Sequence, residues 1–176
     1  DRAETTTRPY KGRFAAYDLN NELIHGNYYE DRLGPGRTRL MAQWALNGDP
    51  GAKVWVNDYD ILICDSPLGI GLPEYMAHIR ELLKQGVPID GIGVQGHSYL
   101  ETFDRRELIR CLDSLAIFKL PLRITEFNLP GMRSKYKQSQ LTPEQEVAKA
   151  KEIVDFYRIC FAHPSVEGIL MWGFWE

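Results

Sequence analysis

The chain alternates short β-rich runs with longer stretches in which apolar residues recur at helical spacing. The pattern predicts strands over residues 12–19, 52–60, 87–98, 120–128 and 165–176. It predicts helices over residues 37–47, 73–85, 104–118 and 141–164. Strands that alternate with helices indicate a parallel sheet with helical crossovers, so the predicted fold class is α/β.

The apolar positions of the predicted helices define the faces that we expect to be buried. In the helix over 73–85 these are Tyr75, Ile79, Leu82 and Leu83. In the helix over 104–118 they are Leu108, Cys111, Leu112 and Leu115. The helix over 141–164 has the strongest start signal, because Thr142 suits the N-cap and Pro143 suits the first helical position.

Polar or aromatic side chains that a hydrophobic core would not select stand at the end of every predicted strand. In chain order they are Asn21 and Glu22, Asn57 and Tyr59, Gln95 and His97, Glu126 and Asn128, and Trp172. They recur at intervals close to one βα unit of a (β/α)8 barrel, about 31 residues. The interval before Trp172 is longer, since it includes a polar insertion at 130–140 that predicts a loop. In such a barrel the carboxyl ends of all strands converge on the active site, so we expect these side chains on one face.

Two of these side chains, Glu22 and Glu126, form a pair of carboxylates suited to glycoside hydrolysis. One carboxyl group protonates the leaving oxygen while the other attacks the sugar or activates water. A single glutamate at a strand end is more often a surface residue or a helix cap, but two among amide and aromatic groups favour catalysis. Trp172 is either a core residue or a stacking surface for a sugar ring. His97 is either a structural histidine or a group that orients Glu126.

Composition argues against a nucleic-acid-binding protein, a membrane-spanning protein and a protein with a metal or cofactor site. The chain has 176 residues, 44% hydrophobic and 26% charged, with a net charge of −3. The mild acidity argues against a nucleic-acid partner. No apolar run approaches the roughly 20 residues that span a bilayer, so no membrane segment is expected, and no signal peptide is visible. Cys64, Cys111 and Cys160 lack the clustering of a zinc or redox site, and the histidines lack metal-ligand spacing, so neither metal nor cofactor is expected.

Residues 91–96, “GIGVQG”, match the glycine pattern of dinucleotide-binding sites. That motif should follow a strand and open a helix, whose amide groups then face a pyrophosphate. Here Ile92 and Val94 alternate with the glycines as the strand itself, and the next predicted helix begins near Asp104. The pattern therefore predicts a strand and no nucleotide site.

Five motifs resemble the strand-end motifs of glycoside hydrolase family 10, the retaining endo-1,4-β-xylanases: “YDLNNELIHG”, “VWVNDYD”, “GIGVQGHS”, “LRITEFN” and “GILMWGFWE”. The stretch “NNELIHGNYYEDRLG” is especially similar to the plant-type branch. The resemblance implies a partial TIM (β/α)8 barrel, about strands four to eight with their helices. Residues 1–176 would then be an incomplete catalytic domain without the first three strands and the segment after strand eight. Residues 4–13 resemble the end of the third helix and the lead into strand four.

The resemblance also implies roles for the strand-end residues. Glu22 corresponds to the acid/base and Glu126 to the nucleophile of a double displacement on xylan or xylo-oligosaccharides. Residues expected to contact the substrate are Asn21, Asn57, Tyr59, Gln95, His97 and Trp172. Secretion or periplasmic export is expected from the polymeric substrate.

Two departures from the family pattern keep alternatives open. Where the family carries an aspartate that partners the histidine, this chain has Asn128, which supplies no negative charge. Two alternatives to a xylanase therefore stay open: a barrel that binds xylan without cutting it, and a related retaining β-glucanase. The missing strands are expected from the parent sequence or from another chain, and this part alone is expected to be inactive and poorly soluble.

Overall fold

The computed structural model describes residues 2–62, 71–98, 100–129 and 141–173. Its α-helices in this part of the chain are α1 (Arg2–Thr7), α2 (Tyr28–Leu33), α3 (Arg37–Gly48), α4 (Leu72–Lys84), α5 (Arg105–Ala116) and α6 (Pro143–Ala162). The strands are β1 (Ala16–Asn21), β2 (Lys53–Asp58), β3 (Gly91–Val94), β4 (Leu122–Phe127) and β5 (Val166–Met171). They form one sheet in chain order, β1-β2-β3-β4-β5, with parallel pairing of β1 with β2 and of β4 with β5.

This architecture confirms the predicted fold class, since consecutive parallel strands alternate with helices as in part of a (β/α)8 barrel. The third strand is the least accurate prediction, because only Gly91–Val94 of the predicted residues 87–98 forms β3. The first strand is also misplaced. It begins at Ala16 rather than residue 12, because a 3₁₀ turn at Arg8–Tyr10 and the turn after it occupy the preceding residues. Helix α2 had no counterpart among the predicted elements.

The chain divides into two compact units, of which the first comprises Asp1–Asp58 and Pro73–Gly93. Strand β2 is buried from Val54 to Asp58, as is typical of a parallel strand covered on both faces. The indole of Trp55 lies directly against Gly91, where an added Cβ would stand 2.3 Å from a ring carbon. A side chain at position 91 would therefore displace the ring.

Helix α4 confirms three of its four predicted core positions. Tyr75, Ile79 and Leu82 are 1%, 0% and 3% exposed. The prediction for Leu83 was wrong, since this side chain is 40% exposed. Consecutive helical residues point about 100° apart, so Leu83 falls at the edge of the stripe that Leu82 shares with the other two.

The second unit comprises Tyr59–Leu72 and Val94–Glu176. In α5 the predicted stripe is confirmed: Leu108, Cys111, Leu112 and Leu115 are each 0% exposed. At the start of α6 the Thr142 hydroxyl accepts a hydrogen bond from the Gln145 amide, and the Gln145 side chain accepts one from the Thr142 amide. This reciprocal capping box confirms the predicted start of the helix.

Two contacts fix α6 within the second unit. The Arg105 guanidinium in α5 donates to Glu152 at 2.8 Å and to Asp155 at 2.7 Å. The rings of Phe127 in β4 and Phe156 in α6 lie with their centroids 4.4 Å apart. Helix α6 is thereby held against both α5 and the end of β4.

Cys111 and Cys160 are buried, as predicted for structural thiols, whereas Cys64 and the insertion at 130–140 lie outside the described residues. Burial raises the pKa of the Cys160 thiol to about 12. No helix in the described ranges is long and apolar enough to cross a bilayer. Among the same residues, no cluster of three or more His, Cys, Asp or Glu side chains could hold a metal ion.

Replacing Leu112 by alanine should lower the free energy of unfolding by about 2–5 kcal/mol, because the side chain is fully buried and leaves a cavity. The matched control is Ile109→Ala in the same helix, where the side chain is 44% exposed and the expected loss is below about 1 kcal/mol. Urea unfolding of the full-length protein measures both. Equal losses would show that α5 does not bury the predicted face.

Cys160 should resist alkylation in the folded protein. With its thiol pKa raised from 9.0 to about 12, the reactive thiolate fraction at pH 8 falls about a thousandfold, before any steric protection is counted. Iodoacetamide labelling followed by peptide mass spectrometry measures the rate at this cysteine alone. The same peptide labelled in urea is the control, and equal rates in the two states would contradict the burial.

Candidate active site

The first unit brings together three of the predicted site residues at the ends of β1 and β2. The Asn57 side-chain amide donates to the Asn21 side-chain oxygen at 2.9 Å. The Asn21 amide donates in turn to the Glu22 carboxylate at 3.3 Å. The backbone N–H of Glu22 donates to the Asn57 carbonyl at 3.0 Å. Asn57 is buried, whereas Asn21 and Glu22 are exposed, so a buried amide supports an exposed carboxylate.

The backbone of Glu22 adopts an unusual conformation. Its φ of 63° and ψ of 40° lie in the left-handed region, which costs a residue with a Cβ about 1–2 kcal/mol. A 3₁₀ turn, Leu23–His25, follows at once. The position tolerates this cost only because surrounding contacts impose the geometry, and such strain is typical of functional sites.

Sequence reasoning missed a contact that anchors this turn. Nδ1 of His25 lies 2.7 Å from Oδ1 of Asp58, and the Ile24 N–H donates to Oδ2 of the same carboxylate at 3.0 Å. The side chains of His25 and Asp58 are 4% and 1% exposed. Both residues stood inside quoted motifs, but only the pairing of β1 with β2 shows that they meet.

The second unit brings together a second set of predicted residues around Glu126 in β4. Nε2 of His97 lies 3.1 Å from Oε2 of Glu126, and the two side chains are 30% and 15% exposed. This contact orients the carboxylate and leaves it open to solvent on one side. Gln95, directly before Gly96 on the same segment, is 4% exposed.

Backbone pairing places the His97 ring beside Glu126. The Ser98 N–H donates to the Asn128 carbonyl at 3.0 Å, and the Asn128 N–H donates to the Gly96 carbonyl at 3.2 Å. A Cβ at Gly96 would stand 2.6 Å from a methyl carbon of Ile124, so glycine permits this close approach.

Gly91 and Gly96 therefore serve close packing. Gly91–Val94 is strand β3 itself, as the sequence predicts, and the next helix in the described residues is α5, from Arg105. Among the described residues, no helix N-terminus follows the motif closely enough to receive a pyrophosphate, which is the arrangement a dinucleotide site requires.

Trp172 follows β5 and is 57% exposed, so the alternative that it is a core residue was wrong. Its backbone N–H donates to the Phe127 carbonyl at 2.8 Å. Its indole meets the His97 ring edge-on, with centroids 5.7 Å apart and planes at 82°. An indole held at one edge keeps an apolar face available, which is the surface that suits a sugar ring.

The site residues thus fall into two sets, each held within one unit. Asn21, Glu22 and Asn57 belong to the first, whereas Tyr59, which is partly buried, belongs to the second with the residues around Glu126. The pairing of Glu22 with Glu126 stays a prediction. Chemically, the first set presents an exposed carboxyl group on a constrained turn, and the second presents a carboxylate bonded to an imidazole.

A family model described as glycosyl hydrolase family 10 matches residues 3–176 of the chain. The anti-sigma-I factor RsgI6 of Acetivibrio thermocellus is 37% identical over 176 residues, which cover 100% of this chain and 21% of that protein. Endo-1,4-beta-xylanase 3 of Arabidopsis thaliana is 36% identical over 168 residues, which cover 95% of this chain and 20% of that protein.

The fold is shared with solved structures. Xylanase 10B from Thermotoga petrophila, solved in complex with xylobiose, superimposes with a TM-score of 0.79 at 26% identity, covering 99% of this chain and 52% of that one. The chain thus spans about a fifth of the length of these curated relatives and about half of that solved xylanase.

Glycine at position 22 should give a more stable protein than alanine. Both variants remove the carboxylate, but only glycine accepts a φ of 63° without a Cβ clash. Glycine relieves the strain, but it also gives the unfolded chain more conformational freedom, which lowers the gain. The net free energy of unfolding should be about 0.5–1 kcal/mol higher for Glu22→Gly than for Glu22→Ala. Denaturant unfolding of the two variants tests this, and an alanine variant of equal or higher stability would rule out the strain.

Proposed function

The chain belongs to glycosyl hydrolase family 10, and from this membership we propose that it carries the catalytic residues of a retaining endo-1,4-β-xylanase. The observation that carries the proposal is the contact between His97 and Glu126, because it supplies an oriented, partly exposed carboxylate near the end of a parallel strand. The xylanase names of several relatives and the xylobiose complex of the Thermotoga petrophila enzyme support xylan as the substrate class.

The proposed reaction has two displacements. Glu126 attacks the anomeric carbon while the bond to the leaving oxygen breaks, and Glu22 gives its proton to that oxygen. A water molecule then attacks the glycosyl-enzyme as Glu22 takes a proton from it, which releases Glu126 and the sugar. Net retention requires the two carboxyl groups to lie about 5–5.5 Å apart, against about 6.5–9.5 Å for inversion.

The remaining predicted residues would bind and orient the sugar. Asn21, hydrogen-bonded to both Asn57 and Glu22, is suited to contact the 2-hydroxyl next to the reacting carbon. Trp172, held edge-on by His97, offers a face for stacking against that sugar ring. Gln95 would line the same subsite, and Asn57 and Tyr59 would contact the leaving-group side.

The proposal concerns a complete barrel. A (β/α)8 barrel has eight strands, and the described residues contain five. Three further strands would come from the parent sequence or from another chain, and without them we expect no activity. The experiments below therefore use the full-length natural protein that contains these residues.

A second candidate is a barrel that binds xylan without cleaving it. The observation that favours it is Asn128, which stands where the family places an acidic partner for the histidine. One relative at 37% identity is also named as an anti-sigma factor rather than as an enzyme. Tight binding of xylan without release of reducing sugar would select this candidate.

Replacing Glu126 by alanine should abolish xylan hydrolysis, because the nucleophile is lost. We expect kcat to fall by a factor on the order of 10⁴ or more, as for other nucleophile deletions. Release of reducing sugar from xylan measures the change. Glu146→Gln, at an exposed glutamate in the first turn of α6, is the matched control and should retain full activity.

The stereochemistry of the product separates the proposed mechanism from inversion. Proton NMR of the first product formed should show the β-anomer at the new reducing end, before mutarotation. An α-anomer would rule out a glycosyl-enzyme at Glu126. Faster hydrolysis of β-glucan than of xylan would identify β-glucan, in place of xylan, as the substrate.

A further inference from the structure

The turn that follows Glu22 is clamped to the end of β2 by one buried carboxylate. Each oxygen of Asp58 receives a partner from that turn: Oδ2 accepts from the Ile24 N–H at 3.0 Å, and Oδ1 lies 2.7 Å from His25 Nδ1. An ionised carboxylate only accepts hydrogen bonds, so the imidazole nitrogen is the donor. The turn is therefore held by its backbone and by its side chain at the same point.

Glu22 lies between this clamp and a second anchor. Its own N–H donates to the Asn57 carbonyl at 3.0 Å, and its carbonyl accepts from the His25 N–H at 3.3 Å. Its φ of 63° is a conformation that a residue with a Cβ does not keep unless its neighbours impose it. If the clamp were lost, the chain at Glu22 would be free to relax, and the direction of its side chain would change.

We propose that His25 and Asp58 are positioning residues that aim the Glu22 carboxyl group at the leaving-group oxygen. This inference rests on the proposed function, because it assigns Glu22 the role of proton donor. With side chains 4% and 1% exposed, the pair acts through the turn and has no surface to offer to the sugar.

The chemistry of the first step predicts that loss of this positioning affects substrates differently according to their leaving group. As the bond from the anomeric carbon to the oxygen breaks, its electron pair stays on the oxygen, and Glu126 forms the new bond to carbon. A sugar alcohol is a poor leaving group and needs the proton of Glu22, so it departs as a neutral hydroxyl. A dinitrophenolate is stable as an anion and departs without that proton.

If the Glu22 carboxyl group points in the wrong direction, hydrolysis should slow only for substrates whose leaving group needs its proton. For His25→Ala and Asp58→Ala in the full-length protein, we expect kcat/KM on xylotetraose to fall about 10- to 100-fold, a part of what general acid catalysis supplies. On 2,4-dinitrophenyl β-xylobioside we expect kcat/KM to change by less than about threefold. The quantity kcat/KM is chosen because it reports steps only up to formation of the glycosyl-enzyme.

Two further variants separate positioning from folding. His25→Asn keeps a side-chain donor near the position of Nδ1 and should recover at least about a third of the wild-type rate on xylotetraose. The described residues include a second histidine–aspartate pair, in which Nε2 of His163 lies 3.3 Å from Oδ1 of Asp113. Neither residue is close in sequence to a predicted site residue. His163→Ala is the matched control and should leave both substrates unaffected.

The outcomes are distinct. Wild-type hydrolysis with selective loss on xylotetraose in the His25 and Asp58 variants supports the inference. Equal losses on both substrates, or no loss on either, overturn it and leave the proposed function standing. If the wild-type protein cleaves neither substrate, the proposed function fails, and the inference falls with it.

Discussion

Backbone N–H groups near the ends of buried strands must find acceptors, because an unpaired buried amide costs about as much as a lost hydrogen bond. In the first unit aspartate side chains accept from backbone N–H groups beside β1 and β2, of which that of Val54 is buried, that of Ile24 partly buried and that of Gly12 exposed. The pairs are Gly12 with Asp49, Ile24 with Asp58, and Val54 with Asp90. Each aspartate joins segments that are distant in sequence, so the arrangement of strands and turns in this unit depends on carboxylates as well as on apolar packing.

Two candidate site residues, Glu22 and His97, lie where the regular pairing of strands stops. Glu22 is the first residue after β1, and His97 pairs with Asn128 through an isolated bridge just beyond β3 and β4. At these places the backbone still forms hydrogen bonds to the neighbouring segment, but the side chains no longer lie in the hydrophobic core. A rigid frame therefore carries polar groups that a core position would not tolerate, which is what preorganised catalysis requires.

Local patterns gave the most accurate predictions. The stripe of α5 and the cap of α6 were predicted because spacing and capping depend on residues within one or two turns of each other. The start of β1 was wrong because Phe14 looks like a strand residue, although it is 51% exposed and its ring lies 5.2 Å from that of Tyr10.

Contacts between distant segments were beyond sequence reasoning. His25 and Asp58 are 33 positions apart, and only the register of β1 against β2 brings them together. The motif resemblance identified which residue types matter but not which neighbours hold them. The left-handed backbone of Glu22 has no signal in the sequence either, since glutamate shows no preference for that conformation.

The contact of Trp55 with Gly91 makes the substitutions that evolution can accept at these two positions depend on each other. An indole at 55 and any larger residue at 91 exclude one another, since the space for a Cβ is already filled by ring atoms. A lineage that acquires alanine at 91 must therefore first, or at the same time, exchange the tryptophan for a smaller side chain. A larger residue at 91 should therefore occur only together with a smaller one at 55.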